Sequence, residues 1–442
     1  MSRSNQAAGR VPHAAGGEFH CRRLANGLTV IVLRNPVVPL VSIEIDVKNG
    51  AYTETAEYDG LSHLYEHMFF KANESIPDQE AYLRRARELG MEWNGTTSEE
   101  RVNYYFTLHQ RNLRAGLEFM NAAIRTPLFR ADELEREREV VLGEYDRAES
   151  DPEFHLHVAV QKQLWRTHYT RKNVIGTREV ILAATPERMR TIQSRYYVPN
   201  NSALLLAGDV DPDAVYTVVE KVFGDWRAGD DPFVAHPIPK HPPLGASSTV
   251  VLEKPVQTAT LLLSLHGPSV DDDREATYAA DVFSGIVGQR NSRFYRRLVD
   301  GGSCASASLG YQTLRYTGPI QALLRTDATR LQEAHAALLD EMSRFDAADA
   351  FTDEELQSAK NQLEVGHVYE CERPSQLVHT IGYWWAVADL DYHHTYIENV
   401  RQVTRADIQR MLRRYVIDQP AVTGVLLAPE MRAVTGRVQG EA

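Results

Sequence analysis

Two histidines four residues apart, His63 and His67, flank a glutamate in the segment His63-Leu64-Tyr65-Glu66-His67. On a helix, positions i and i+4 share a face, so both imidazoles can reach one metal ion. Glu66 then stands one turn from His63, within reach of a water bound to that metal. The chemistry this allows is metal-assisted hydrolysis, in which the cation acidifies water and a carboxylate takes its proton. The surrounding run LSHLYEHMFFKA contains good helix formers and no Pro or Gly, with Asp59-Gly60 ahead of it as an N-cap. The competing reading is an exposed helix carrying two histidines and a chance glutamate.

A catalytic zinc normally takes three side chains and leaves one position for water, so a third ligand is expected. The acidic stretch 131–149 reads as a helix on which Leu134, Glu137, Val141, Glu144 and Ala148 form one stripe. Two carboxylates in an apolar stripe are expensive to bury unless a cation or protons compensate. A metal ion would do so. The rival is a solvated acidic helix, which Glu133, Glu135 and Glu139 would suit.

The order His-x-x-Glu-His is the inverzincin motif. HLYEH followed by EREVVLGE resembles the pitrilysin and mitochondrial-processing-peptidase family of zinc metallopeptidases, in its short-chain, two-domain, zinc-bearing form. Glu144 stands 77 residues after His67, and Glu137 seven before Glu144, as that family's glutamates do. The resemblance implies one Zn²⁺ per chain held by His63, His67 and Glu144. It makes Glu66 the catalytic base and Glu137 a carboxylate that orients the site. It covers nearly the whole chain from about residue 20 and is strongest over 27–210. The stretch MEWNGTTSEERVNYYFTL matches a family segment that forms an exposed edge strand beside the zinc. Asn94, Gly95 and Thr96 are then substrate-binding residues, onto which a peptide adds as a further strand. Gly95 stands where the family usually has alanine. Turn chemistry alone would instead make Asn94-Gly95 a hairpin turn.

One family element is missing. Active members use an Arg and a Tyr, donated by the other half-chain or a partner, after a segment like SRLFxxLR…GLAY. The matching SRFYRRLVDGGSCAS puts Val299 and Ser306 at those positions, and shifting the register does not restore the pair. The chain therefore reads as the catalytic subunit of a heterodimer whose zinc-less homologous partner supplies the Arg and Tyr. The alternatives are a non-catalytic processing-peptidase-like scaffold and a self-sufficient homodimeric peptidase.

The wider sequence must position these groups. Residues 27–47 and 249–265 each read as a strand pair with a turn, 131–149 and 352–370 as charged helices, and 185–197 and 404–415 as Thr-capped helices. Landmarks matched in order imply an internal duplication of a unit of about 200 residues. The fold class is α+β: two homologous α/β-sandwich domains, each an antiparallel-rich sheet packed on helices. The expected boundaries are a disordered leader over 1–18, a zinc-bearing domain over 19–228, a proline-rich linker over 229–246 and a second domain, without zinc, over 247–442.

With 442 residues, 43% hydrophobic and a net charge of −12, the chain has a globular composition and would repel nucleic acid. No apolar run approaches the ~20 residues of a membrane span. Cys21, Cys304 and Cys371 lie too far apart in sequence for a zinc ribbon or disulfide framework. The cytoplasm is the expected compartment, with the periplasm or an organelle matrix open if a leader has been removed.

Overall fold

The computed structural model describes residues 9–12, 18–370 and 372–435. Its strands form two sheets. The first runs β1 (Gly9–Pro12), β2 (Glu18–Arg23), β3 (Thr29–Arg34), β7 (Ser202–Gly208), β4 (Leu40–Val47), β6 (Val102–His109), β5 (Glu92–Thr97). The second runs β10 (Ser306–Tyr311), β11 (Pro319–Thr326), β9 (Ala259–His266), β12 (Val422–Leu427), β8 (Ser248–Glu253). The duplication is visible in the order itself. In each copy the first strand lies parallel to the last, which pairs antiparallel with the second, which pairs antiparallel with the fourth, which pairs antiparallel with the third. The fold is thus a duplicated α+β arrangement with antiparallel-rich sheets.

Two local expectations change. The runs in 27–47 and 249–265 are strands but do not pair with each other, because β7 lies between β3 and β4, and β12 between β9 and β8. β7 is buried along its whole length, and a strand apolar on both faces belongs in a sheet's interior. Of the leader expected over 1–18, Gly9–Pro12 form β1, paired antiparallel with β2 along the edge that β3 leaves open. The remainder of that leader, apart from Glu18, lies outside the described residues, as does Cys371.

Among the helices are α1 (Leu61–Phe69), α2 (Ala131–Glu149), α3 (Pro152–Trp165), α4 (Val270–Val287), α5 (Asp353–Glu370) and α6 (Pro374–Val387). The chain forms two compact units. The first takes the described residues up to Tyr145 with Asn173–Ile238 and Val368–His394; the second takes Asp146–Lys172, Pro239–His367 and the described residues from Thr395. These units differ from the contiguous halves expected from the repeat, because α3 and α6 cross over. In the first unit, Leu377, Val378 and Ile381 of α6 cover Ile31, Leu33, Ala203, Leu205 and Ala207 on one sheet face. The alternate residues Val30, Val32, Leu204 and Leu206 face the larger core on the other side, as the period-2 pleat requires. In the second unit, Leu156, Val160 and Leu164 of α3 pack on Leu262, Val422 and Leu426. Each helix seats where a glycine lets it come close. A Cβ on Gly424 would lie 2.4 Å from Val160, and one on Gly382 would lie 2.2 Å from Asp46.

Candidate active site

The apolar stripe of α1 fixes which way its histidines point. Leu61, Leu64, Tyr65, Met68 and Phe69 are buried, with Tyr65 stacked on Tyr197 and Phe69 on Tyr104 of β6. His63, Glu66 and His67 are left on the opposite, partly open face. The helix starts at Gly60, whose φ of 87° is left-handed and whose Cβ, if present, would lie 2.0 Å from the Ile175 carbonyl. No side chain of the cap residue closes the N-terminus, so the expected Asp59-Gly60 cap is replaced by another device. Glu54 reaches in from upstream and accepts the N–H groups of Gly60 at 2.9 Å and Ser62 at 2.6 Å. A carboxylate on the first-turn amides satisfies them and complements the helix dipole.

The two imidazoles stand edge to face, with centroids 4.9 Å apart. The carboxylate of Glu144, from α2, approaches both: Oε2 is 3.6 Å from His63 Nε2 and 3.5 Å from His67 Nε2. These separations are longer than good hydrogen bonds. They match the ~3.4 Å between ligands around a tetrahedral zinc with bonds of about 2.1 Å. Among the described residues, His63, His67 and Glu144 are the one group of three or more such side chains close enough to share an ion. Two neutral nitrogens and a carboxylate oxygen are a donor set that suits zinc. Burial and the neighbouring His67 push the His63 imidazole down to about 4, which keeps it neutral and able to bind metal.

The rest of α2 behaves as its stripe implied. Leu134, Glu137 and Val141 are buried. Glu137 Oε2 lies 3.2 Å from His67 Nδ1. Because a carboxylate only accepts, Nδ1 carries the proton and Nε2 presents its lone pair toward Glu144. Burial alone would lower His67, but the Glu137 hydrogen bond and the charges of Glu144 and Glu66 together hold it above the usual range. Glu137 is held low: burial opposes ionisation, but His67 and Lys71 both donate to it. Glu133 is not solvated either, since it is buried and accepts the Ala72 N–H at 3.3 Å. The solvated-helix reading fails on this face of α2.

Glu66 points toward β5. Thr97 Oγ1 donates to its Oε2 at 2.6 Å. Burial holds Glu66 above the ordinary carboxylate range, against that hydrogen bond and His67, with Glu144 adding to the rise. A carboxylate raised in this way is a better proton acceptor than an ordinary exposed one. Among the described residues, strand β5 lies at the sheet edge and pairs with β6 alone. Asn94 and Gly95 are consecutive residues inside that strand, so the hairpin-turn reading is wrong for them. Asn94 and Thr96 face outward, exposed, and Trp93, Gly95 and Thr97 alternate inward. Gly95 is tight: a Cβ there would lie 2.9 Å from Glu66 Cγ and 3.2 Å from Phe70. Glu54, Lys71, Thr97 and Glu133 are the site residues that sequence reasoning missed. Lys71 had a signal, since it follows His67 by four residues.

Residues 29–178 match the family model described as insulinase (peptidase family M16), and residues 183–363 match the one described as the peptidase M16 inactive domain. The chain belongs to peptidase family M16. It is 26% identical over 340 residues to a Bacillus subtilis protein named as an uncharacterized zinc protease, YmxG, covering 76% of this chain and 81% of that one. It is 24% identical to zinc protease PqqE of Helicobacter pylori, over 92% of each chain. It is 23% identical to mitochondrial-processing peptidase subunit beta of Lentinula edodes, over 90% of this chain and 87% of that one. The crystal structure of a protease from Helicobacter pylori superposes with a TM-score of 0.84 at 22% identity, spanning 93% of this chain and all of that one. Within family M16, the inactive-domain description falls on the half of the chain that has no His-x-x-Glu-His segment. Among the described residues, no helix is long and apolar enough to cross a membrane.

Proposed function

We propose that the chain is a zinc-dependent endopeptidase acting on peptides or unfolded segments, as the catalytic subunit of a heterodimer. The observation that carries the reading is the convergence of His63, His67 and Glu144 beside Glu66, with Glu66 tied to an open sheet edge. His63, His67 and Glu144 would hold Zn²⁺, which would supply Lewis acidity and a water of lowered pKa. Thr97 occupies Oε2 of Glu66, leaving Oε1 to accept the water proton and return it to the leaving amine. A substrate peptide adds to β5 through backbone hydrogen bonds, with Asn94 and Thr96 on its outer face. Affinity then depends little on peptide sequence, as processing of varied segments requires.

Val299 and Ser306 offer neither the cation nor the phenol that would complete oxyanion stabilisation, so a homologous partner without zinc supplies them. The proposal is tested in two steps. Elemental analysis of the purified chain should find one zinc, and Glu66→Gln should keep it while abolishing peptide cleavage. Retained turnover in that variant would remove Glu66 from the mechanism. A single chain that cleaves peptides as fast as a reconstituted pair would exclude the heterodimer.

A further inference from the structure

Lys71 has only 7% of its side chain exposed, and its Nζ lies 2.5 Å from Oε1 of Glu137. The other oxygen of that carboxylate holds His67 Nδ1. An ammonium is rarely withdrawn so far from water unless a paired, hydrogen-bonded partner compensates it. Lys71 follows the last turn of α1, where its own N–H bonds the Met68 carbonyl. The next residue, Ala72, donates its N–H to Glu133, one turn before Glu137 on α2. The C-terminal end of α1 is therefore gripped by two glutamates of α2, one of which is shared between a lysine and a metal-site histidine. His63 has no such support, since its Nδ1 is buried without a partner among the described residues.

We propose that Lys71 is a positioning residue for the metal centre, acting through Glu137. By taking Oε1 it fixes the rotation of the carboxylate, hence the plane of the His67 ring and the aim of Nε2 at the metal position. The inference rests on the zinc reading above and adds to it a residue outside the metal-binding motif. A cation close to bound Zn²⁺ would by its charge alone weaken the metal, so removing Lys71 would then tighten zinc binding. A positioning role predicts the opposite sign.

The test measures zinc affinity of the full chain by competition with a chromogenic chelator. Lys71→Met, similar in volume, should bind zinc about tenfold more weakly, the range typical for losing a group that orients a ligand. Glu137→Gln should also weaken zinc, and adding Lys71→Met to it should change affinity by less than about twofold, because a positioning effect runs through Glu137. With Co²⁺ in place of zinc, the visible ligand-field band should shift in both single variants, which loss of packing elsewhere would not produce. Tighter or unchanged zinc in Lys71→Met, or full additivity with Glu137→Gln, overturns the proposal. If Lys71→Met does not fold, Lys71→Gln keeps an N–H for Glu137 without the charge. Affinity within about threefold of the parent supports positioning, and tightening overturns it. A parent chain that takes up no zinc overturns the metal reading itself, a result distinct from all of these.

Discussion

The carboxylate of Glu54 is the feature on which the geometry of α1 depends most directly, and replacing it by alanine gives a measurable consequence. Glu54 is 3% exposed and accepts two backbone N–H groups, of Gly60 and Ser62, at 2.9 and 2.6 Å. Glu54→Ala strands two amides in a buried place. Each unsatisfied buried donor costs about 1–3 kcal/mol, and losing a negative charge at a helix N-terminus adds about 0.5 kcal/mol. Water entering the space left by the side chain recovers part of this, so a loss of about 3 kcal/mol is expected. That is within the 5–15 kcal/mol margin of an ordinary domain, so the variant should still fold. Guanidinium unfolding of the metal-free chain should show a lower midpoint at an unchanged slope. Because Glu54 caps the helix that carries both histidines, zinc affinity should fall as well. Glu54→Gln, which keeps one acceptor but turns an amide N–H toward the other donor, should lie between parent and alanine variant. A Glu54→Ala midpoint equal to the parent's would mean that the two short contacts contribute nothing and that α1 is positioned by its apolar face alone.

Two further outcomes follow from other parts of the fold. Asp281 has its carboxyl held by Tyr396 at 2.8 Å and by Thr313, and burial pushes it up to about 7. Its folded value lies above the unfolded one, so folding favours the protonated form, and that stabilisation is lost as pH rises from about 4 to 7. The residue keeps some exposure, so the loss is on the order of 2 kcal/mol. Asp281→Asn should remove that slope, read as denaturation midpoints at pH 5 and pH 8, and an unaltered slope would exclude the carboxyl as its source. A fragment ending at Ile238 lacks α6, whose Leu377, Val378 and Ile381 cover one face of the first sheet. At about 1.5–3 kcal/mol per buried side chain, that fragment should aggregate or bind hydrophobic dye, and co-expression with residues 239–442 should rescue it. A monomeric fragment unfolding cooperatively would refute this.

How far the sequence reveals this depends on the range of the interaction. The helix of His63 and His67, the stripe of Leu134, Glu137 and Val141 on α2, and the placing of Asn94 to Thr96 in a strand are local patterns. The first two are legible from spacing; the family resemblance was needed to single out Glu144 and to keep Asn94 to Thr96 in a strand, where turn chemistry alone pointed to a hairpin turn. The Glu54 cap was hidden because a glutamate six residues before Gly60 announces nothing that an N-cap rule would find. Thr97 was hidden because the residue that meets Glu66 depends on how β5 lies against α1. The insertion of β7 between β3 and β4 was equally hidden. Alternation gives a strand's faces, whereas its neighbours are set by pairing across more than 150 residues of chain. The crossing of α3 and α6 has the same origin. An amphipathic helix must find an apolar sheet face, and nothing in its own sequence says whose.

The two copies also differ where the proposed metal site lies, although the fold is duplicated. In the first copy, α1 and α2 meet through polar groups: His63 and His67 face Glu144, Lys71 and His67 share Glu137, and Ala72 bonds Glu133. Such a contact leaves a gap of a cation's size, because its ligand atoms stand 3.5–3.6 Å apart rather than touching. In the second copy, the helices in the matching places are α4 and α5. They meet at Gly285 and Ala359, where even an added Cβ would come within 3.1 Å of the alanine. The buried carboxylate of α5, Glu355, turns back on its own helix start and accepts from Thr352 at 2.7 and 3.0 Å. Close packing between small residues satisfies that interface without any ion. Placing histidines on α4 would therefore not create a second zinc site. The carboxylate they would need, Glu355, is already engaged at its own helix terminus.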